Sequence, residues 1–328
     1  MAKRIGVLTS GGDAPGMNAC IKAIVETGRQ LGISVYGFFR GYQGVIENDY
    51  KLLKEEDVKY MLNFGGSFLQ SARSEEFLKL EARQKAVDNI KALKLSGLIC
   101  IGGNGTYRGA NELKDLGITI IAIPATVDND VYSTERSIGF DTAVNNAVSM
   151  IDNIKQTMSS NNRVAVIEAM GRHGGDIALH AALASNSDIV VVPEEPTPRE
   201  EIIRRVKLLI KSGKESPTVI VAEKQHDINV LAKDIEAATG KESRAIVLGY
   251  MQRGGSPTSN DRILSIRYGV EAVHLLANGS GSCSLCLNND MLSTMDIGVA
   301  VDETSHFRSD IYALFRLLHD PVKNEPSD

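Results

Sequence analysis

Two carboxylates stand two residues apart in "PATVDND", residues 124–130, directly after the apolar run "ITIIAI". On an extended loop, Asp128 and Asp130 can point into one pocket. One can accept a hydroxyl proton while the other serves a metal ion. Phosphoryl transfer needs both tasks, and otherwise relies on positioning and charge neutralisation. The same residues also suit a turn in which Asp and Asn bond their own backbone. Two glycine-rich stretches add a place for phosphate. In "TSGGDAPGMN", residues 9–18, Gly11 and Gly12 let the backbone approach a ligand, and a helix after Pro15 aims its positive end at the same space. "GGNGTYRGA", residues 102–110, repeats the logic, with Thr106 placed to cap a helix or touch phosphate. Each stretch alone is equally a tight strand–helix turn; the two together favour a polyphosphate ligand. Arg163, Arg172, Arg244 and Arg253 stand near the ends of apolar runs. Singly each is an ordinary surface charge, but four forked donors suggest a clamp for a second phosphorylated molecule. Glu223, ending "TVIVAE", suits sugar hydroxyls or a surface salt bridge.

The elements that must carry these loops are short runs rich in Val and Ile: "RIGVLT", "SVYGFF", "GLICI", "ITIIAI", "RVAVIEA", "DIVVV", "TVIVA" and "AIVLG". Continuous apolarity predicts strands buried on both faces, hence a parallel sheet. Helical patterns alternate with them. "NACIKAIVETGRQLG" puts Ile21, Ile24, Val25 and Leu31 near one face with Gly32 as a stop, while "EEFLKLEARQKAVDNIKALKLSG" and "REEIIRRVKLLIKSG" each end in Ser-Gly. Strand–helix alternation predicts an open α/β architecture, whose ligands lie at the carboxyl ends of the strands. Five of the special loops fall at such ends, as if on one edge.

Composition narrows the classes. The 328 residues suffice for two domains, and 43% hydrophobic with 23% charged residues is ordinary for a globular protein. No apolar run approaches the ~20 residues of a membrane helix, and no secretory signal is visible, so the expected location is cytoplasmic. A net charge of −5 without a basic tract argues against nucleic acid. Cys283 and Cys286 have CxxC spacing, but no second pair completes a zinc site, so Cys20, Cys100, Cys283 and Cys286 read as plain thiols.

The loops, in this order and spacing, resemble those of the bacterial ATP-dependent 6-phosphofructokinases from Arg4 to about residue 290. The family pattern "GVLTSGGDAPGMNA", "GGDGS", "PGTIDND", "MGR" and "GHIQRGGSP…DRI" reads here "GVLTSGGDAPGMNA", "GGNGTY", "PATVDND", "MGR" and "GYMQRGGSP…DRI". The resemblance implies two Rossmann-like three-layer α/β/α domains with mainly parallel sheets. Residues 1–138 and 252–301 would bind ATP; residues 139–251 and 302–328 would bind fructose 6-phosphate. It implies a glycolytic kinase using ATP and Mg²⁺, with Asp128 as general base, Asp130 serving the metal, Thr126 touching the phosphoryl group and Arg172 stabilising the transition state. Gly12, Tyr42, Arg73, Ser74, Gly103, Asn104, Gly105, Thr106 and Gly109 map to the ATP site. Met170, Gly171, Arg172, Glu223, Tyr250 and Arg253 map to the sugar phosphate. Arg163 and Arg244 match residues given by a neighbouring subunit, implying a homotetramer. Pyrophosphate-dependent relatives carry Asp and Lys where Gly105 and Ala125 stand, so the small residues favour ATP.

Four departures matter. Asn104 replaces the metal-binding aspartate, leaving an amide oxygen without charge and a weakened Mg²⁺ site. Tyr250 replaces a histidine that helps hold the sugar phosphate. Ser74 replaces a larger residue beside Arg73. The family's effector site, here Lys22, Glu26, Lys155, Asp188 and Lys214 with Glu215, has lost much of its positive charge, so little allosteric control is expected. Alternatives are a catalytically impaired or regulatory paralogue that binds sugar phosphate or nucleotide, and a kinase for another phosphorylated sugar.

Overall fold

A computed structural model describes residues 3–302 and 307–319; the run "DPVKNEPSD", residues 320–328, whose polar composition predicts a frayed tail, lies outside them. The chain opens with β1 (Arg4–Thr9), α1 (Met17–Gln30), β2 (Ser34–Phe38), α2 (Tyr42–Glu47), β3 (Tyr50–Leu52), α3 (Glu55–Val58), α4 (Leu80–Ala92), β4 (Leu98–Gly102), α5 (Asn104–Asp115) and β5 (Ile120–Pro124). Next come α6 (Phe140–Ser160), β6 (Val164–Ala169), α7 (Asp176–Ala184), β7 (Ile189–Val191), α8 (Arg199–Lys211), β8 (Thr218–Ala222), α9 (Ile228–Thr239) and β9 (Ser243–Val247). The series ends with α10 (Ser259–Ala277), β10 (Cys283–Asn288), β11 (Met291–Met295), α11 (Ile297–Asp302) and α12 (Ser309–His319). No helix among the described residues is long and apolar enough to cross a membrane.

Two compact units result: Met1–Thr142 with Arg253–Ser305, and Ala143–Gln252 with His306–Asp328. The first holds a seven-stranded sheet in the order β11-β10-β5-β4-β1-β2-β3. Its central pairings are parallel, and β3 and β11 add antiparallel edges. β4 and β5 are buried along their whole length, as their unbroken apolar runs require. The edges escaped that criterion because "YKL" and "MLSTM" are largely exposed, while serine and cysteine interrupt β10. Leu8, Phe38, Cys100 and Ala122 share one core with α2, α4, α5 and α11.

The helix expected from Glu75 is broken. Residues Glu76–Leu78 form a 3-10 turn, and α4 starts at Leu80 and stops before Lys94, whose φ is 55°. The break has a packing cause. Phe77 is buried and its ring stacks on Tyr42 at 4.2 Å, while Ser74 Oγ accepts the Phe77 N–H at 3.2 Å.

The second unit holds a four-stranded, all-parallel sheet in the order β7-β8-β6-β9. Val164, Val166, Val219 and Val221 pack there against Ile202 and Val206 of α8 and Leu231 and Ile235 of α9. The single edge expected for the five loops is thus two edges. Those after β1, β4 and β5 end neighbouring strands of the first sheet, and those after β6 and β9 end neighbouring strands of the second.

One buried carboxylate pins the first unit. Asp261 is fully buried and accepts bonds from Gly139 N at 3.0 Å, Thr142 N at 2.8 Å and Thr142 Oγ1 at 2.5 Å. It thereby satisfies N–H groups at the start of α6, which has orphan donors there like any helix. Burial raises the Asp261 carboxyl, and these donors hold it back. Asp261→Ala strands all three donors and is expected to cost about 3–4 kcal/mol, on the order of a 10 °C fall in Tm. Calorimetric melting measures it; a fall under about 2 °C would show that these bonds do not hold the unit.

Candidate active site

The first unit assembles its three loops side by side because β1, β4 and β5 are parallel neighbours. Ser10 N donates to Ile101 O at 3.1 Å, and Ala125 N donates to Gly102 O at 3.0 Å, so each loop leaves its strand tied to the next. Thr106 Oγ1 donates to Ser10 O at 3.0 Å and is buried. This corrects the expectation for Thr106: the helix cap is Gly103, and the Thr106 hydroxyl clamps the first loop to the second. Gly102 is obligatory there, since a Cβ would lie 2.2 Å from Thr106 Oγ1.

Tyr42 is buried, donates its hydroxyl to Thr106 O at 2.5 Å, and has its ionisation pushed upward by burial. A Cβ on Gly109 would lie 2.5 Å from that ring. Tyr42 and Gly109 therefore support the loop from behind. Ser74, read as a contact beside Arg73, bonds Gln43 Oε1 at 2.6 Å and shapes the 3-10 turn, whereas Arg73 is exposed. Gly105 is exposed, and a Cβ added to it would meet nothing within 4 Å. Ala125, paired with Gly105 in the donor argument, is fully buried instead. A Cβ on Gly12 would lie 3.4 Å from Arg253 Nη2, and one on Gly103 would lie 3.2 Å from Thr126 Cβ. Gly12 and Arg253 thus face each other within this unit.

The loop carrying Asp128 and Asp130 is a turn, not the extended segment the two-residue spacing suggested. Asn129 has φ 52°, so the backbone between the carboxylates is left-handed rather than extended. Asn129 holds this shape with its own amide: Nδ2 donates to Glu135 O at 3.1 Å and Oδ1 accepts Ser137 N at 2.9 Å. Ser137 Oγ donates to Thr126 O at 2.6 Å, and Asp128 N donates to Thr126 Oγ1 at 3.2 Å. Asp128 is 7% exposed and Asp130 is half-buried. Asn104, first residue of α5, donates Nδ2 to Asp130 O at 3.0 Å.

In the second unit, the loop after β6 carries Met170, Gly171 and Arg172. Met170 N donates to Gln252 Oε1 at 3.2 Å, and fully buried Gln252 donates onward to Gly249 O at 3.1 Å. A Cβ on Gly171 would meet Gly174 O at 2.1 Å. Arg172 has φ 56°, donates its backbone N–H to Glu223 Oε1 and exposes its side chain. Glu223 neighbours Glu168 of β6, whose carboxyl is raised by burial first and by Glu223 and Asp227 next. In the sequence, Glu168 is one more residue of the apolar run "RVAVIEA" and carries no signal of its own. Arg163 Nε donates to Glu242 Oε2 at 2.6 Å, and Arg244 pairs with Glu242 Oε1. Glu242, unnoticed in the sequence, thus aligns both arginines beside edge strand β9. Tyr250 is 80% exposed in the turn that follows.

The residues at the effector positions have partners within the chain. Lys22 pairs with Glu26. Lys155 donates to Ser185 O and to Asn186 O, the latter at 2.9 Å, and burial pushes its ammonium down. Lys214 pairs with Asp188 at 2.7 Å, and Asp188 also accepts Thr218 N at 2.8 Å. Among the cysteines, burial pushes the Cys100 thiol up to about 12 and the Cys283 thiol up to about 11.

Residues 4–276 match the phosphofructokinase family. The ATP-dependent 6-phosphofructokinase of Vibrio cholerae is 43% identical over 313 residues, 95% of this chain and 98% of that protein. Phosphofructokinase from Saccharomyces cerevisiae superposes with TM-score 0.85 at 29% identity over 97% of this chain, which spans about half (47%) of the yeast chain. A pyrophosphate-dependent phosphofructokinase from Marinobacter aquaeolei shares the fold, with TM-score 0.86 at 20% identity, 99% of this chain and 92% of that one. The chain belongs to the phosphofructokinase family.

Proposed function

We propose that this chain is an ATP-dependent 6-phosphofructokinase, transferring the γ-phosphoryl group of ATP to the 1-hydroxyl of fructose 6-phosphate in glycolysis. The observation that carries the reading is the setting of Asp128: buried, at the carboxyl end of β5, on a turn braced by Asn129 and Ser137 beside two glycine loops. The name borne by the 43% identical Vibrio cholerae relative supports it.

The backbone N–H groups of the loops after β1 and β4, with the N-termini of α1 and α5, receive the ATP phosphates. Gly12, Gly103 and Gly105 keep that space open, Tyr42, Thr106 and Gly109 brace it, and Arg73 and Ser74 border it. Asp128 takes the proton of the 1-hydroxyl as its oxygen attacks the γ-phosphorus; the bond to the ADP oxygen breaks in line. Thr126 bonds the transferred group, and Arg172 stabilises charge on it. Met170, Gly171, Glu223, Tyr250 and Arg253 hold fructose 6-phosphate. Arg163 and Arg244, aligned by Glu242, serve a neighbouring subunit in a homotetramer.

Asp130 and Asn104 would hold Mg²⁺, which when bound would neutralise phosphate charge. The fit is a modest one: Asp130 offers a carboxylate and Asn104 an amide oxygen on loops joined at 3.0 Å. No group of three His, Cys, Asp or Glu gathers among the described residues. That donor set suits a metal whose other ligands are phosphate oxygens and water. The internal pairing of Lys22, Lys155 and Lys214 supports weak effector control.

The test is a coupled assay with ATP and fructose 6-phosphate across Mg²⁺ concentrations. Turnover is expected, with a high Mg²⁺ requirement and no use of pyrophosphate. No turnover at saturating substrates and high Mg²⁺ would overturn the proposal.

A further inference from the structure

We infer that Asn104 is a positioning residue, whose side-chain amide straps the turn carrying Asp128 and Asp130 to the start of the phosphate-loop helix. The kinetic part of this inference rests on Asp128 being the base; the structural part does not.

The contact is Nδ2 to Asp130 O at 3.0 Å. A backbone carbonyl only accepts, so the nitrogen of the amide must face it, and the side chain is oriented without ambiguity. The bonds from Thr126, Asn129 and Ser137 run within the segment 126–137. Asn104 instead reaches across from the loop of the neighbouring strand. It is also the first residue of α5, held by Gly103 as cap, so the strap starts from a fixed point. Oδ1 stays on the other side of the same amide, where it can serve a metal ion.

The strap reverses what charge alone suggests for Asn104→Asp. Charge reasoning makes aspartate a gain twice over: a better Mg²⁺ ligand, and an acid in the first turn of α5, which has none. But a carboxylate has no donor. It would set an acceptor against the Asp130 carbonyl and push the turn away. Asn104→Ala removes the strap without adding repulsion.

Two readouts test this together. Hydrogen exchange on the ligand-free protein follows the peptide 126–132. Exchange is expected to rise about five- to tenfold in Asn104→Ala and further in Asn104→Asp, as for one lost bond. Steady-state kinetics should show kcat falling about tenfold in both variants, with KM for each substrate within about twofold, because a displaced base hurts the chemical step. Melting temperatures should stay close to wild type, separating a local shift from general loosening. Unchanged exchange overturns the strap. Faster exchange with unchanged kcat overturns the positioning role, and so does an Asn104→Asp enzyme that outruns wild type at low Mg²⁺. If the wild type itself shows no turnover, the proposed function fails and the exchange result still decides the strap.

Discussion

Asp128→Asn is expected to lower kcat by about 10³-fold while leaving KM for both substrates within about threefold. Asparagine copies the shape of aspartate, so the turn fixed by Asn129 and Ser137 has no steric reason to move. What changes is chemistry. The amide cannot take a proton, and the 1-hydroxyl must then lose it to water. Because the group is nearly buried, water is a poor substitute at that point. The loss belongs to the transition state, so it falls on kcat rather than on KM. A loss below about tenfold would mean the proton leaves by another route, and Asp128 would be a turn residue.

Gly105→Asp is expected to raise KM for ATP about 100-fold without lowering stability. The position is exposed, and an added Cβ meets nothing within 4 Å. Near the helix start, an acid even interacts favourably with the macrodipole, by about 0.3–1 kcal/mol. The effect on ATP comes from placing a carboxylate in a loop proposed to receive phosphates. Like charges in a partly screened site repel by a few kcal/mol, and 100-fold corresponds to about 2.7 kcal/mol. Gly105→Ala separates charge from bulk and should change KM less than about threefold. If Gly105→Asp left KM for ATP within fivefold, the loop after β4 would not be the phosphate site. Ala125 is a different case, since it is fully buried; bulk added there strains the fold as well as the site.

The loops were legible because buried parallel strands write themselves as unbroken apolar runs, and their carboxyl ends need glycine where backbone approaches a ligand. That reading found β1, β2 and β4 to β9, and put Asp128, Arg172 and the glycine loops shortly after strands, where they lie. It failed where partners leave no pattern. The strap from Asn104 ends on a backbone carbonyl, which has no residue-type signature. Glu168 hides inside "RVAVIEA" because one acid in an apolar run does not break a strand. Glu242 aligns Arg163 and Arg244 through contacts that depend on β6 and β9 lying side by side, and strand order is not written locally. The left-handed Asn129 was foreseeable in part, since "DND" also suits a turn, but the extended alternative satisfied the same letters. Splitting the loops between two sheets likewise followed from pairing order, not from any single segment.

The central claim is phosphoryl transfer from ATP to fructose 6-phosphate by this chain. Phosphorus NMR of the protein with ATP, fructose 6-phosphate and excess Mg²⁺ tests it most directly. The prediction is that the γ-phosphate resonance of ATP declines as ADP and a second phosphomonoester, on the 1-oxygen of the sugar, grow in equal measure. An unchanged ATP spectrum, or release of inorganic phosphate in place of the bisphosphate, would contradict it.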